Sequence, residues 1–458
     1  MTYFDPQFGL RAVAAAMSVI DAGPVMYGVD QRFWVYENGV WSPGDKVIRK
    51  RTVRLLGERY RPHHAQSIRD VMIAHVDEFE VAPVSSFINV YNGMIDWRAP
   101  GTPEKIPHDQ RYLSSVQLPV SYVEGAVCPD FDAFLEQSVA PDDVQRVWEM
   151  IGYLMMSGNP LQRAFLLTGG GGNGKGVLLE VLKALLGEQN CSAVPLHDFS
   201  TSQFATAELF GRLANICGEI DNTYLESTAR IKEIVGDDRM KGERKGKDPF
   251  YFKPWCKMIF SANEIPATSD SSRGWSRRFE VIGFPNQPAR PDPGLKDRLC
   301  RTESLRGIAA HGIAALRTLM DRGEFAHGEA AVRAHLEFRM RNNKILAWLT
   351  DEAELMPGKF YGRQELLHAF RRWDTHNNPA ARPMGSTTFY ERLRQIDGVR
   401  EAKIMGARGF KGIWLHRDLE MIDGTPDHDP EAPQSAPTPK VPLEQTALDL
   451  GERDPWGG

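Results

Sequence analysis

Five cysteines among 458 residues leave sulfur little structural work. Cys128, Cys191, Cys217, Cys256 and Cys300 stand far apart, their number is odd, and none forms a C-x-x-C pair. This pattern excludes a disulfide framework and a cysteine-built structural zinc, and reads as a reduced, cytoplasmic chain. Long apolar runs are missing too. No stretch approaches the roughly 18 apolar residues of a membrane span, so no membrane partner is expected. The apolar opening "LRAVAAAMSVI" is short, has no long basic leader and runs into Asp21. It is expected to form an amphipathic helix rather than a signal peptide. Internal repeats are absent.

A strong charge of one sign is lacking as well. The chain has 55 Lys and Arg against 60 Asp and Glu, a net of −5, which by itself argues against a nucleic-acid partner. The distribution changes that reading. Residues 418–458 hold ten acids and two bases, a net of −8, which leaves +3 for residues 1–417. A mildly basic body carries an acidic, Pro-rich tail, and such a tail is expected to be disordered. The body has ordinary globular content, 42% apolar and 25% charged, and its length suits two to four domains.

Along the chain, "QRFWVYENGVWSPG" alternates around Asn38-Gly39, a hairpin signal. "KVIRKRTVRLLGERY" reads as a basic amphipathic helix. Its "IRKRTVR" is either a second basic surface or a solvated helix face. Residues 160–290 alternate buried strands with helices: "RAFLLTG", then "KGVLLEVLKALLG" stopped by Gly187, then "RLANICGEID" and "CKMIFSANEIP". That rhythm predicts a parallel sheet with its site at the carboxyl ends of the strands. Residues 341–417 read as three helices and a hairpin, the make-up of a winged helix. The expected divisions are 1–130, helical with short strands; 131–335, the α/β domain; 336–417, the winged-helix-like domain; and 418–458, the tail.

"FLLTGGGGNGKGVLL" carries the chemistry. Gly169, Gly174 and Lys175 fit G-x-x-x-x-G-K between a strand and a helix, the context a phosphate-binding loop requires. Gly169, Gly170, Gly171, Gly172, Asn173 and Gly174 let backbone N–H groups curl toward phosphates, and the helix N-terminus adds its own. Lys175 supplies the point charge. Gly176 replaces the usual Ser or Thr, whose hydroxyl helps hold Mg²⁺. Glu219 and Asp221 end an apolar strand two residues apart, so both can face a metal and an attacking water. Glu219 is expected to polarise the water and Asp221 to partner Mg²⁺. Asn263 ends another strand, where its amide can position water. Arg277 and Arg278 precede a last strand, and one of them can stabilise charge in a neighbouring subunit's site.

Taken in this order, "GGGGNGKG", "ANICGEID", "KGERKGKDPFYFKPWCKMIFSANEIP" and "SRGWSRRFEVIGF" resemble a superfamily 3 helicase of the phage and plasmid primase type, which includes the poxvirus primase–helicase. The likeness covers about residues 1–417. It implies an AAA+-like P-loop ATPase core in a hexameric ring, using ATP and Mg²⁺ to move 3′-to-5′ on DNA in a bacterial host's cytoplasm. It gives Lys175 to the phosphates, Glu219 and Asp221 to the acidic strand, Asn263 to the sensor, and Arg277 or Arg278 to the finger that acts in trans. Larger members carry an N-terminal primase module for which these 458 residues have no room, so primase activity is not expected. A separate primase is an expected partner. The basic run Lys241, Arg244, Lys245 and Lys247 occupies the position of the family's DNA-gripping loop, which holds a single strand in the channel through salt-sensitive phosphate contacts. In the tail, Gln445, Leu448 and Leu450 resemble the peptide by which bacterial replication proteins bind the sliding clamp. Two other readings stay open: a nucleotide-switched, origin-binding initiator or loader with little turnover, and a small-molecule P-loop kinase.

Overall fold

Burial explains the central sheet. Phe165, Leu166, Leu167, Met258, Ile259, Phe260, Val281 and Ile282 are all within 2% of full burial, as strands covered on both faces require. The computed structural model describes residues 3–220, 224–268, 270–288, 290–378 and 383–418. Asp221 and the acidic tail, with Gln445, Leu448 and Leu450, lie outside the described residues. The fold is mixed α/β.

The chain gathers into two compact units. The first comprises Met1–Pro266 and Arg277–His327; the second comprises Ala267–Ser276 and Gly328–Gly458. Within the first unit, the N-terminal sheet and the α/β core share side-chain contacts. One is Trp34 against Phe210, with ring centroids 6.4 Å apart.

The first unit opens with α1 (Ala12–Asp21), β1 (Val25–Gly28), β2 (Phe33–Glu37), β3 (Val40–Pro43), α2 (Asp45–Leu56) and α3 (Pro62–His75). Strands β2 and β3 meet at Asn38 (φ 53°) and Gly39 (φ 87°), both left-handed, as the favoured two-residue hairpin turn demands. The three helices pack on one side through Ala15, Val19, Ile48, Leu56, Ile68 and Met72. Two helices lead onward, α4 (Pro129–Ser138) and α5 (Val144–Met155).

The core sheet then forms from β4 (Ala164–Thr168), β5 (Cys191–Ser192), β6 (Ala214–Glu219), β9 (Lys257–Ala262) and β10 (Phe279–Gly283). Helix α6 (Lys175–Leu186) follows β4, and α7 (Ala229–Val235) follows β6. A separate hairpin, β7 (Met240–Gly242) and β8 (Phe250–Phe252), interrupts the chain before β9. The core order is β5-β6-β9-β4-β10, all parallel. Each strand is joined to the next by a crossover, so all carboxyl ends share one edge. Helix α8 (Thr302–Arg322) closes the unit.

The second unit holds α9 (Glu329–Asn342), α10 (Lys344–Glu352), β11 (Phe360–Gly362), α11 (Arg363–Asn377), α12 (Ser386–Leu393), β12 (Arg400–Ile404) and β13 (Ala407–Lys411). Strands β11, β13 and β12 form an antiparallel sheet in that order. Trp348, Leu366, Phe370, Phe389 and Phe410 fill the space between sheet and helices. Among the described residues, no helix is long and apolar enough to cross a membrane.

Candidate functional site

Strand β4 ends at Thr168 inside the sheet, and the chain turns through Gly169–Gly174 into α6. The glycines are sterically obligatory at two points. A Cβ on Gly169 (φ 143°) would stand 2.3 Å from Asn173 Nδ2 and 2.4 Å from the Phe284 carbonyl oxygen. Gly174 (φ 94°) caps α6, and its Cβ would press 2.8 Å from the Phe134 ring. Side chains brace the loop. Asn173 Nδ2 donates to the Phe284 carbonyl at 2.8 Å, and Gln287 Nε2 donates to the Gly171 carbonyl at 2.7 Å. Gly176 differs from both: nothing lies within 4 Å of where its Cβ would sit.

Lys175 opens α6 and is buried. Its ammonium donates to the Gly169 carbonyl, to the Gly170 carbonyl at 3.1 Å, to Asn173 Oδ1 at 3.2 Å and to Asn263 Oδ1 at 3.3 Å. Asn263 follows β9, and its Nδ2 donates to the Glu219 carboxylate at the end of β6. The register of β6 on β9 shifts between Cys217 and Glu219, which sets the exposed Glu219 opposite Ser261. An ammonium, an amide and a carboxylate therefore stand in series where three neighbouring strands end. Burial lowers the Lys175 pKa, and the nearby Glu219 charge works against that shift. In such a series the carboxylate can take a proton from water, the amide can orient it, and the ammonium can meet an anion.

Arg277 and Arg278 are not part of this cluster. They precede β10, at the sheet's opposite edge: the Arg278 carbonyl accepts from Ala164 N at 2.7 Å, at the start of β4. About five residues of strand, on the order of 15 Å, separate that edge from the glycine loop. Arg277 is exposed. Arg278 is half-buried, with its guanidinium beside Gly236 at the end of α7.

The basic run occupies the β7–β8 hairpin. Lys245 and Lys247 are exposed in its turn around Gly246 (φ 70°). Lys241 pairs with Glu243, and that hydrogen bond raises its pKa. Arg244 turns inward. It donates to the Asp30 carbonyl at 3.2 Å, lies 3.5 Å from the Asp30 carboxylate, and covers the Phe250 ring at 4.7 Å. Burial is the main cause of its lowered pKa, with Arg32 adding to it. The fully buried Asp30 carboxylate also accepts from Trp34 Nε1 at 3.1 Å and pairs with Arg32. Phe250 and Phe252 pack beneath the hairpin against Phe210, while Tyr251 is 55% exposed.

Motif reading singled out neither Asp30 nor Gln287; both lie far from the residues they hold. Nor did it single out Cys128, just before α4, Asp132 on α4 and His311 on α8, whose donor atoms lie within 4.8 Å of one another. The one available signal for Gln287 was its place just after the last core strand.

Comparison with known proteins gives three further findings. A family described only as being of unknown function (DUF5906) matches residues 167–278, which run from β4 to Arg278. A putative helicase, L207/L206 of Acanthamoeba polyphaga mimivirus, is 28% identical over 163 residues. That match covers 34% of this chain and only 17% of the viral protein. The A form apo structure of the NrS-1 C-terminal region superposes with a TM-score of 0.50 and 13% identity, covering 88% of this chain and 99% of that one. At that identity the likeness concerns the fold alone.

Proposed function

We propose that this chain is an ATP-dependent DNA motor of the superfamily 3 helicase kind, with an AAA+-like core, a winged-helix C-terminal unit and a hexameric ring. The observation that carries the reading is the series Lys175–Asn263–Glu219 at the carboxyl edge of the parallel sheet. Its order along the chain, followed by the arginine pair, is the order the motif resemblance requires. The partial match to a viral protein named as a putative helicase supports it.

The donor set suits a nucleoside triphosphate. The desolvated Lys175 and the α6 N-terminus meet the phosphates. Glu219, with Asp221 beyond it, would hold Mg²⁺, which when bound neutralises charge on the phosphate oxygens. Asn263, bonded to both Lys175 and Glu219, holds the carboxylate toward the attacking water, and Glu219 accepts the water's proton. Arg277 lies too far along the sheet to serve its own loop, which suits a role across a ring interface. Lys245 and Lys247 hold the DNA backbone.

The test is the ATPase rate with and without oligothymidine, for wild type and Lys175→Ala. DNA-stimulated turnover that vanishes in the variant is expected. Turnover indifferent to DNA would overturn the motor in favour of a small-molecule kinase. Nucleotide binding without turnover would favour a nucleotide-switched initiator, the reading to which the missing hydroxyl at Gly176 lends weight.

A further inference from the structure

Helix α2 exposes Lys46, Arg49, Lys50, Val53 and Arg54, positions i, i+3, i+4, i+7 and i+8 on one helical face. Among the described residues, the four cationic head groups take no hydrogen bond or ion pair. Two nearby acids are already engaged. Asp45 holds Arg69 at 2.6 Å, and Glu37 lies 3.8 Å from Arg51, which points inward to the Gly23 carbonyl.

This face is fastened to the basic hairpin. Arg69, which grips Asp45 at the start of α2, also donates to the Gln31 carbonyl at 3.1 Å. Gln31 Nε2 reaches the Asp248 carbonyl in the hairpin turn at 3.4 Å, next to Lys247, and Arg244 holds the neighbouring Asp30. The first turn of α2 and the turn carrying Lys245 and Lys247 therefore belong to one hydrogen-bonded cluster.

We infer that the exposed face of α2 is a second nucleic-acid surface, one that binds the phosphate backbone of duplex DNA beside the hairpin. From Lys46 to Arg54 the stripe runs about 12 Å. A strand of duplex presents a charge every ~3.4 Å of axis, so three or four phosphates lie within reach. Helix α2 contains no aromatic residue. Binding of single strands leans on aromatic stacking platforms, so this face suits the denser charge of a duplex. The inference rests on the DNA reading of the hairpin, yet its test stands apart.

The experiment measures affinity of the full chain for a 30-bp duplex and for oligothymidine across a salt series. Wild type is compared with Lys46→Gln/Arg49→Gln/Lys50→Gln/Arg54→Gln. Glutamine keeps helix propensity close to that of Lys and Arg, and Arg49→Lys/Arg54→Lys serves as a charge-retaining control. The expected result is a duplex affinity at least tenfold weaker in about 100 mM salt and a log–log salt slope shallower by about 3 to 4. Oligothymidine-stimulated ATPase should be kept, and the control should bind like wild type. Unchanged duplex affinity would overturn the surface and leave the motor reading intact. Equal loss of oligothymidine binding would overturn the assignment to duplex. Duplex binding lost in the glutamine variant, in a protein whose turnover ignores DNA, would support the surface and count against the motor.

Discussion

Lys257 sits at the first position of β9, fully buried, and burial pushes its ammonium down to about 7 from an ordinary 10.5. Its Nζ donates to the Met156 carbonyl and lies 5.7 Å from the centre of the Tyr153 ring. Methionine has a similar length and no charge. A displacement of 10.5 to about 7 corresponds to roughly 5 kcal/mol of cost to the folded state at low pH. Losing the bond to Met156 returns about 1 to 3 kcal/mol of that, because the buried carbonyl is left without its donor. Lys257→Met should therefore stabilise the protein by roughly 2 to 4 kcal/mol at pH 6.5.

The pH dependence is the sharper expectation. Between pH 7 and 10.5 the unfolded chain binds the Lys257 proton and the folded chain does not, so wild-type stability gains from this group as pH rises. The variant lacks that gain. The gap between the two should shrink by about 2 kcal/mol from pH 7 to pH 9. Burial holds Cys256 up at about 12, and because Lys257 bears on that thiol its contribution differs between the two proteins; it lowers stability only above about pH 9, so the comparison stops there. Parallel urea titrations at pH 6.5, 7, 8 and 9 provide the measurement. A gap that stays constant with pH would refute the reasoning, since Lys257 would then be a compensated charge rather than a desolvated amine.

Three further outcomes are expected. Gly176→Ser should fold normally, because nothing occupies the space its Cβ would take, and should lower the Mg²⁺ concentration for half-maximal ATPase; an unchanged Mg²⁺ profile would mean that the acids alone set the metal's affinity. Glu219→Gln keeps an oxygen for Asn263 to donate to, so nucleotide binding should persist while turnover falls on the order of 10²-fold or more; full turnover would remove Glu219 from the role of base. Asp30→Ala removes the buried carboxylate that serves Arg32, Trp34 and Arg244, leaving Arg244 only the backbone carbonyl, and should cost about 3 to 5 kcal/mol, seen first as faster proteolysis at residues 240–252; unaltered cleavage there would show that the Asp30 carboxylate does not hold the hairpin.

Much of this architecture was legible from local pattern. Buried apolar runs ending in polar residues marked β4, β6 and β9, the glycine run marked the loop, and Asn38-Gly39 marked its hairpin turn. Each is a short-range rule. What could not be read depends on distant partners. The run around Arg244 shows only charge, and nothing near it reveals that Asp30, more than two hundred positions earlier, takes that one guanidinium inward while Lys245 and Lys247 stay exposed. Lys257 looks like a solvated strand start, because its burial is created by segments remote in sequence. The glycine loop's brace by Gln287 is likewise a contact across 116 positions.

Residues Ala267–Ser276, between Asn263 and Arg277, pack with the second unit: Thr268 N donates to Asn342 Oδ1 at 2.9 Å, and Trp275 lies 6.3 Å from Phe338. The backbone thus leaves the first unit, returns to it and leaves again. For protein engineering this makes the C-terminal unit a poor cassette. Cutting the chain at 327 would strand that ten-residue excursion without its packing partners, and a chimera taking only residues 328 onward from a relative would join a foreign surface to a native insert. Exchange between relatives should succeed only when both pieces travel together, so the two segments are expected to diversify as a single heritable block.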